Sequence, residues 1–227
     1  MSDIYNRTEL IIGKEKIDLL KKATVCICGI GGVGSYTLEA LARIGIGTII
    51  IIDKDEVDVT NINRQLIAML STVGKDKVAV AKERIADINK DINVITIKEN
   101  IMDENITNIL NKFSIDYLVD CVDNIEAKIA IMKYAVDNKI KSISCMGMGN
   151  KLNPLDIEVT DIYKTEVCPL AKIIRKKLKE LNIKRQKVVF SKEIPIRNEQ
   201  KRLGSVSFVP SVAGLIIASE VVKDLIK

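Results

Sequence analysis

A glycine-rich turn between two apolar segments constrains the fold of this chain more than any other feature. An apolar run from Val25 leads into the turn, residues 35–44 have helical periodicity, and residues 48–52 form a second apolar run before Asp53. Strand, glycine turn, helix and a strand that ends in a carboxylate form the first βαβ unit of a nucleotide-binding fold. The sequence therefore predicts an α/β protein with a nucleotide site beside its first strand.

The turn contains four glycines, which are Gly29, Gly31, Gly32 and Gly34. Gly29 permits the tight turn, Gly31 lets backbone N–H groups approach a phosphate, and Gly34 lets the helix pack closely on the strand. Asp53 is placed where its carboxylate can accept hydrogen bonds from ribose hydroxyls. On their own, these residues indicate a nucleotide without identifying which one.

Apolar periodicity continues the alternation of strands and helices as far as residue 145. Strand character is found at residues 94–98, 116–121 and 140–145, and helical character at residues 64–70, 74–89 and 125–138. In the last of these helices we expect Ile129, Met132 and Val136 to face inward. Such alternation implies right-handed crossovers and a Rossmann-like, doubly wound, mainly parallel sheet.

Beyond residue 154 the regular alternation ends. Short strands are predicted at residues 157–160, 187–190 and 205–209, and a basic helix at residues 171–181. A final helix is predicted to start after Pro210, with Ser211 as its N-terminal cap. These short segments predict an antiparallel C-terminal extension of the sheet.

Composition excludes several classes of chemistry. The chain has no histidine, so no mechanism here uses an imidazole base or a histidine-ligated metal. Its five cysteines include no Cys-x-x-Cys pair, so we expect no zinc. The opening residues lack a signal-peptide pattern, and the apolar runs have strand length. We therefore expect a cytoplasmic protein with no integral membrane segment.

Charged and polar residues after the second and fourth strands identify the nucleotide more closely. The loop after Asp53 contains Asp55, Asn61, Arg64 and Gln65, Lys77 follows Gly74, and Asp123 comes directly after the fourth strand. An arginine, a lysine and a carboxylate near a glycine turn suit a nucleoside triphosphate with magnesium. An NAD-dependent oxidoreductase is an alternative, but it would leave these charged residues without a role.

These motifs resemble the ThiF/MoeB/HesA adenylating family, which is related to ubiquitin-activating enzymes. The resemblance rests on the glycine turn, the Asp-x-Asp-x-Val loop, Asn-x-Asn-Arg-Gln, the lysine after Gly74 and Asp-x-x-Asp-Asn, within residues 24–124. It implies a ThiF/MoeB-type fold and an ATP-dependent ligase or cyclase, in which a carboxylate attacks the α-phosphate of ATP.

The resemblance also implies a role for each residue. It assigns Asp53 and Asn61 to the ribose and neighbouring contacts, Arg64 and Lys77 to the phosphates, and Asp123 to magnesium and catalysis. Residues 6–13 are similar to the opening segment of the family, in which an arginine enters the ATP site of a partner subunit. Arg7 is the candidate for that role, and a homodimer is implied.

A basic segment distinguishes the second half of the chain. Residues 164–202 contain thirteen Lys or Arg and four Glu, a net charge of +9 in a chain whose total is +5. The candidate tRNA-binding residues are Lys172, Arg175, Lys176, Lys177 and Lys179. The alternative is a solvated helix face without a ligand.

Residues 161–171, 174–179, 187–191 and 207–214 resemble the corresponding segments of the tRNA threonylcarbamoyladenosine dehydratases of the family. That resemblance implies activation of a threonyl carboxylate on a modified adenosine in tRNA, with ring closure and release of AMP. It also implies a partner in sulfur transfer, either a cysteine desulfurase or a sulfur acceptor. Two alternatives remain open, namely adenylation of a ubiquitin-like sulfur carrier and a non-catalytic RNA-binding module.

Residues 1–227 are expected to form one domain, with an ATP-binding half at residues 1–150 and a tRNA-binding, dimer-forming half at residues 151–227. Cys168 precedes Pro169 where several relatives have an aspartate. It is either a functional thiol or an ordinary loop cysteine.

Overall fold

One seven-stranded sheet organises the protein. A computed structural model describes residues 4–197, 199–200 and 203–227, and the strand order in the sheet is β3-β2-β1-β4-β5-β7-β6. The strands are β1 (Thr24–Cys28), β2 (Thr48–Ile52), β3 (Asn93–Ile97), β4 (Tyr117–Asp120), β5 (Lys141–Cys145), β6 (Ile157–Asp161) and β7 (Lys187–Ser191). All neighbours are parallel except β6 and β7, which confirms the predicted parallel sheet with an antiparallel C-terminal extension.

Helices cover both faces of this sheet. They are α1 (Asn6–Ile12), α2 (Lys14–Lys22), α3 (Gly34–Ile44), α4 (Lys77–Ile88), α5 (Ile106–Leu110), α6 (Ile125–Asp137), α7 (Pro169–Glu180) and α8 (Phe208–Leu225). Because side chains alternate along a strand, Val25 and Ile27 join the core under α3, α4 and α8, whereas Cys26 and Cys28 join the core under α5 and α6. The continuous apolar runs of β1 and β2 are explained by burial on both faces.

The direction of winding reverses between β1 and β4. The chain proceeds from β1 to β2 and β3 on one side, and then returns to place β4, β5 and β7 on the other side. The loops that follow β1 and β4 diverge at this point and leave a crevice at the carboxyl ends of the strands. The glycine turn and the segment that carries Asp123 both lie there.

Two predicted elements were wrong. Residues 64–70 form turns and not a helix, because the hydroxyl of Ser35 accepts the N–H of Leu66 (3.1 Å) and that of Thr72 accepts the N–H of Met69 (2.9 Å). Residues 205–209 form no strand, since α8 already begins at Phe208.

The start of α8 also differs from the prediction. Pro210 lies inside the first turn, where a backbone N–H has no helical partner to lose. Ser211 is not the N-terminal cap, because its hydroxyl donates to the carbonyl oxygen of Phe208 at 2.9 Å. The short helix α5 was not predicted from the sequence.

The buried face of α6 differs by one position from the prediction. Met132 is buried as expected and Ile129 is partly buried, but Val136 is 44% exposed. Lys128 of the same helix is completely buried, and its ammonium group donates a hydrogen bond to the carboxylate of Asp120. The sequence analysis made no prediction for this lysine.

The C-terminal end of α8 is fastened to the amino ends of three strands. Asp224 accepts hydrogen bonds from the Tyr117 hydroxyl (2.8 Å) and the Lys187 ammonium group (2.5 Å), and its backbone carbonyl accepts from Lys141 (2.8 Å). Burial alone would raise the pKa of Asp224, but the donors from Lys187, Lys227 and Tyr117 lower that pKa to about 2. We call Tyr117, Lys187, Glu220 and Asp224 the amino-end cluster.

None of the helices formed by the described residues combines the length and the hydrophobicity needed to cross a membrane.

Candidate active site

A large cleft opens at the carboxyl ends of β1, β2, β4 and β5. Its volume is about 1240 Å³, and it contains most of the residues that the sequence marked as nucleotide contacts. Those that line it are Gly29, Gly31, Gly32, Asp53, Asp55, Asn61, Arg64, Gln65, Lys77 and Asp123. The fold thus brings together residues from four separate segments of the chain.

The glycine turn is held by close backbone packing. Gly29 has φ 87°, and a Cβ there would lie 2.9 Å from the carbonyl carbon of Cys121. A Cβ at Gly34 would lie 1.8 Å from the carbonyl oxygen of Gly29, so no other residue fits without displacing the turn. Gly34 does not line the cleft, and its place is in the contact between α3 and β1.

Asp53 connects the glycine turn to the loop after β2. One carboxylate oxygen accepts the backbone N–H of Ile30 at 2.6 Å, and the other accepts that of Asp55 at 2.9 Å. Each oxygen keeps a further lone pair, so the carboxylate can also accept a hydrogen bond from a ligand hydroxyl. Asp53 is buried among these contacts, which fixes its orientation.

Arg64 extends from a short turn that the neighbouring residues stabilise. Asp58 and Asn61 cap this turn through reciprocal side-chain hydrogen bonds to each other's backbone N–H groups. The Arg64 guanidinium donates to the carbonyl oxygen of Thr60 at 2.9 Å and to the amide oxygen of Asn63 at 3.0 Å. It has no acidic partner among the described residues, so its positive charge acts on the cleft.

Lys77 is the first residue of α4, and its side chain is buried beside the cleft. Its ammonium nitrogen lies 3.0 Å from a carboxylate oxygen of Asp55, and its backbone N–H donates to the Asp55 carbonyl at 3.1 Å. The Asp55 side chain itself is about half exposed, at 52%. Lys77 is therefore held in place by a partner that an incoming anion can displace or share.

Two other residues in the cleft have unused hydrogen-bonding capacity. The side-chain oxygen of Gln65 is buried and has no partner within the described part of the chain. An unsatisfied buried acceptor is costly, and a ligand donor would remove that cost. Asp123 is exposed to the cleft, and its carboxylate contacts no donor among the residues described. The N-terminal cap of α6 is supplied by Asn124, whose side chain accepts the N–H of Ala127 at 2.9 Å.

The far end of the cleft was not predicted as part of the site. It is formed by residues 145–151 after β5, residues 168–170 at the start of α7, and residues 203–205. Asn150 joins two of these segments, because its N–H donates to the Gly204 carbonyl (2.8 Å) and its side chain accepts the Gly204 N–H (2.6 Å). The available sequence signal for this region was the pair of glycines, Gly147 and Gly149, directly after the fifth predicted strand.

The thiols at this end of the cleft are enclosed by protein. Cys168 is buried immediately before α7, and Cys145 is buried at the end of β5. Burial raises the pKa of Cys145 to about 12, so its thiol is protonated at neutral pH.

The remaining predicted residues lie outside this cleft. Arg7 is exposed on α1 and does not line the cleft. On α7, the side chains of Lys172, Lys176, Lys177 and Lys179 are exposed. Arg175 is partly buried, and its guanidinium donates to the carbonyl oxygen of Thr165 at 2.7 Å. Lys201 and Arg202 of the basic segment lie outside the described residues.

Comparison with known proteins agrees with this geometry over nearly the whole chain. The model of the ThiF family matches residues 5–227. A tRNA threonylcarbamoyladenosine dehydratase from Bacillus subtilis (strain 168) is 44% identical over 241 residues, which cover 98% of this chain and 94% of that protein.

Two solved structures of the Escherichia coli tRNA N6-threonylcarbamoyladenosine dehydratase are also similar. The complex with AMP has a TM-score of 0.93 and 33% identity, and the alignment covers 99% of this chain and 96% of that one. The complex with ATP has a TM-score of 0.92 and 33% identity, with 97% and 93% covered. The chain belongs to the ThiF family.

Proposed function

We propose that this member of the ThiF family is an ATP-dependent tRNA threonylcarbamoyladenosine dehydratase. The observation that carries the proposal is the match to the Bacillus subtilis dehydratase, which extends over 98% of this chain at 44% identity. The relatives solved with AMP and with ATP identify the nucleotide as an adenine nucleotide. The cleft residues supply the charges that such a reaction needs.

The first step is adenylation of the threonyl carboxylate. A carboxylate oxygen attacks the α-phosphorus of ATP, and the bond from that phosphorus to the bridging oxygen of pyrophosphate breaks. Arg64 and Lys77 face the cleft with positive charge, and the glycine turn offers backbone N–H groups beside them. Because negative charge accumulates on the phosphoryl oxygens, these fixed groups stabilise the transition state more than the ground state.

Asp123 is the proposed ligand for Mg²⁺ bound with ATP. The described residues contain no group of three or more acidic, cysteine or histidine side chains arranged for a metal. Mg²⁺ does not need such a group, because in nucleotide sites it takes one or two carboxylates, phosphate oxygens and water. The free carboxylate of Asp123 fits that requirement. The ion would supply charge neutralisation at the phosphates.

The second step closes a ring on the modified adenosine. A nitrogen of the carbamoyl group attacks the acyl carbon of the adenylate, the acyl–oxygen bond to AMP breaks, and the nitrogen loses its proton. Both reacting groups belong to one residue, so the step has the advantage of an intramolecular reaction. No cysteine needs to carry the acyl group, which agrees with the burial of Cys168.

Helix α7 is the proposed contact surface for tRNA. Its first residues line the far end of the cleft, and its lysines extend away from that point on an exposed face. Phosphates bound along α7 would bring a nucleotide to the cleft. Charge reversal in Lys176→Glu/Lys177→Glu should weaken tRNA binding and flatten its salt dependence, in contrast to Lys82→Glu/Lys90→Glu on exposed positions in and after α4. Equal effects in both pairs would reject this surface.

The proposed assembly is a homodimer in which Arg7 acts on the partner subunit. Helix α1 has no buried residue, and its Leu10 and Ile11 are 88% and 85% exposed. An apolar helix surface of this kind is typical of a protein interface. In Leu10→Glu/Ile11→Glu we expect a monomer in sedimentation experiments and loss of AMP formation. A variant that remains dimeric and active would contradict the assembly.

Two further expectations concern the setting of the reaction. A cytoplasmic location is proposed because all five cysteines are free thiols, as is usual in a reducing compartment. A partner in sulfur transfer stays a prediction.

The decisive test is nucleoside mass spectrometry of tRNA from a strain that lacks this gene, prepared so that the cyclic nucleoside survives. We expect the open form to replace the cyclic form. Unchanged cyclic nucleoside would reject the proposed substrate. Purified protein should also release AMP from ATP with modified tRNA. Pyrophosphate exchange that responds only to a ubiquitin-like sulfur carrier would instead establish the alternative substrate.

A further inference from the structure

We propose that the buried Asp120–Lys128 ion pair, together with Ser144, is a positioning device that holds the end of β4 in the geometry needed for adenylation. The inference rests on the proposed function, because it assigns these residues to the same cleft. None of the three lines the cleft, so none is expected to contact the substrate.

The contacts converge on one carboxylate. Asp120 is the last residue of β4, and one of its oxygens accepts the ammonium group of Lys128 at 2.8 Å and the hydroxyl of Ser144. The Lys128 ammonium also lies 3.3 Å from the Ser144 hydroxyl oxygen. All three side chains are buried, Lys128 completely. The carboxylate thus joins β4, α6 and β5 at a single point.

The other oxygen of Asp120 acts on the chain that enters the cleft. It accepts the backbone N–H of Val122 at 3.1 Å, and the next residue is Asp123. The peptide between Cys121 and Val122 is also the surface against which the glycine turn packs, because a Cβ at Gly29 would lie 3.0 Å from the Val122 nitrogen. The Asp120 carboxylate therefore supports both the glycine turn and the proposed magnesium ligand.

Ser144 extends the same support to the far end of the cleft. It immediately precedes Cys145, from which the lining of that end begins. A displacement of the Asp120 carboxylate would therefore move the glycine turn and Asp123, and also the far end of the cleft.

Stability alone is a weak reason for such a pair. Desolvation of two buried charges often cancels their attraction, and apolar side chains of similar volume often stabilise as well or better. Burial raises the pKa of Asp120, while Lys128 and Ser144 oppose that shift. Beyond packing, the pair fixes the orientation of the end of β4, since its hydrogen bonds are satisfied in only one arrangement.

The experiment compares variants at this pair with a matched lysine at the other end of the sheet. Lys128→Met removes one charge, Asp120→Asn/Lys128→Met removes both, and Ser144→Ala removes one hydrogen bond. Lys187→Met in the amino-end cluster removes a lysine bound to Asp224 at 2.5 Å, far from the cleft. Thermal stability, KM for ATP and kcat for AMP formation are measured for each.

We expect Lys128→Met to lose stability and to lower kcat about 100-fold, a loss of the size found when a stabilising group in an active site is removed, with KM for ATP nearly unchanged. The double variant should regain stability, since no unpaired buried charge remains, but not kcat. Ser144→Ala should lower kcat less and still fold. Lys187→Met should lose stability while keeping kcat. A double variant with wild-type kcat would overturn the inference.

Cys121 provides a readout that does not depend on the reaction. The residue lines the cleft and is partly exposed, and burial, Cys145 and Asp120 raise the pKa of its thiol, while Lys128 opposes that shift. Loss of the Lys128 charge alone would therefore slow alkylation by iodoacetamide. Faster alkylation, by about 10-fold or more, would report displacement of the strand end, because thiol reactivity depends on access as well as on pKa.

This readout separates the two proposals. If the wild-type protein forms no AMP with modified tRNA, the proposed function is wrong. Alkylation of Cys121 that is faster in Lys128→Met and in the double variant than in Lys187→Met still supports the positioning role. Equal alkylation in all three variants overturns it, whatever the activity.

Discussion

Charged side chains are arranged differently at the two ends of the sheet. In the amino-end cluster, Tyr117 and Lys187 both bond to Asp224, and each donor has found its acceptor inside the protein. In the cleft at the carboxyl ends, Arg64 has no acidic partner and Asp123 has no donor among the described residues. The first arrangement is closed and contributes to stability, whereas the second is open and available to a ligand. Charged side chains are thus paired inside the protein at one end of the sheet and available to a ligand at the other.

The largest expected difference between the ends concerns Arg64. Because its charge is directed at the cleft, Arg64→Ala should lower kcat for AMP formation about 100-fold or more. Its melting temperature should stay close to that of the wild type, since only two neutral acceptors lose a donor. The measurements are AMP release and thermal unfolding. Equal activity in Arg64→Ala and in Lys187→Ala would remove the distinction between the ends.

A change at the amino end should lower stability and leave activity unchanged. Asp224→Asn weakens the hydrogen bonds from Lys187, Lys227 and Tyr117, and should cost about 2 kcal/mol of unfolding free energy. Activity per folded molecule should not change, because the cluster is remote from the cleft. Urea unfolding and AMP release check the two parts. A loss of activity at full stability would contradict the assignment of this cluster to folding.

The same cluster predicts a dependence on pH. Asp224 has a pKa of about 2 in the folded protein, below the value of about 3.9 for an unfolded aspartate. Its contribution is therefore complete above about pH 5 and is lost as the pH falls towards 2, where the unfolded state binds the proton first. The difference in unfolding free energy between the wild type and Asp224→Asn should shrink over this range. A difference that grows on acidification would show the opposite sign of linkage.

The smallest expected effect concerns Gln65, whose buried oxygen has no partner in the described part of the chain. Gln65→Leu keeps the approximate volume and removes that unsatisfied group, so stability should be equal or slightly higher. Affinity for ATP should fall about 10-fold, as expected for loss of one or two hydrogen bonds to a ligand. Calorimetric titration with ATP checks this. Unchanged affinity would mean that Gln65 lies in the cleft without serving the nucleotide.

The first half of the fold could be predicted because local pattern and tertiary structure agree there. The apolar runs before Gly29 and Asp53 are long enough for strands, and both are buried on two faces. The position of the cleft followed from the glycine turn and from Asp123, because parallel strands present their carboxyl ends at one edge of the sheet. Residue types and spacing were sufficient for this part.

The rest depended on contacts that a sequence does not display. The burial of Lys128 was not predicted, since the carboxylate that pairs with it comes from β4 and not from its own helix. Residues 64–70 were expected to be helical, but hydroxyl groups from Ser35 and Thr72 bond to their backbone. A lysine within an otherwise apolar helical stripe was the available signal for the buried pair.

The contact between Lys77 and Asp55 has a consequence for selectivity among anions. The ammonium group of Lys77 has a carboxylate of the protein itself at 3.0 Å, tethered to the same site and thus present at high effective concentration. A chloride or a single inorganic phosphate must compete with that tethered group and gains little else. At the proposed site, a polyphosphate chain would meet Arg64 and the glycine turn as well, so its several contacts would act together. Small anions that are abundant in a cell would accordingly be poor inhibitors of this protein.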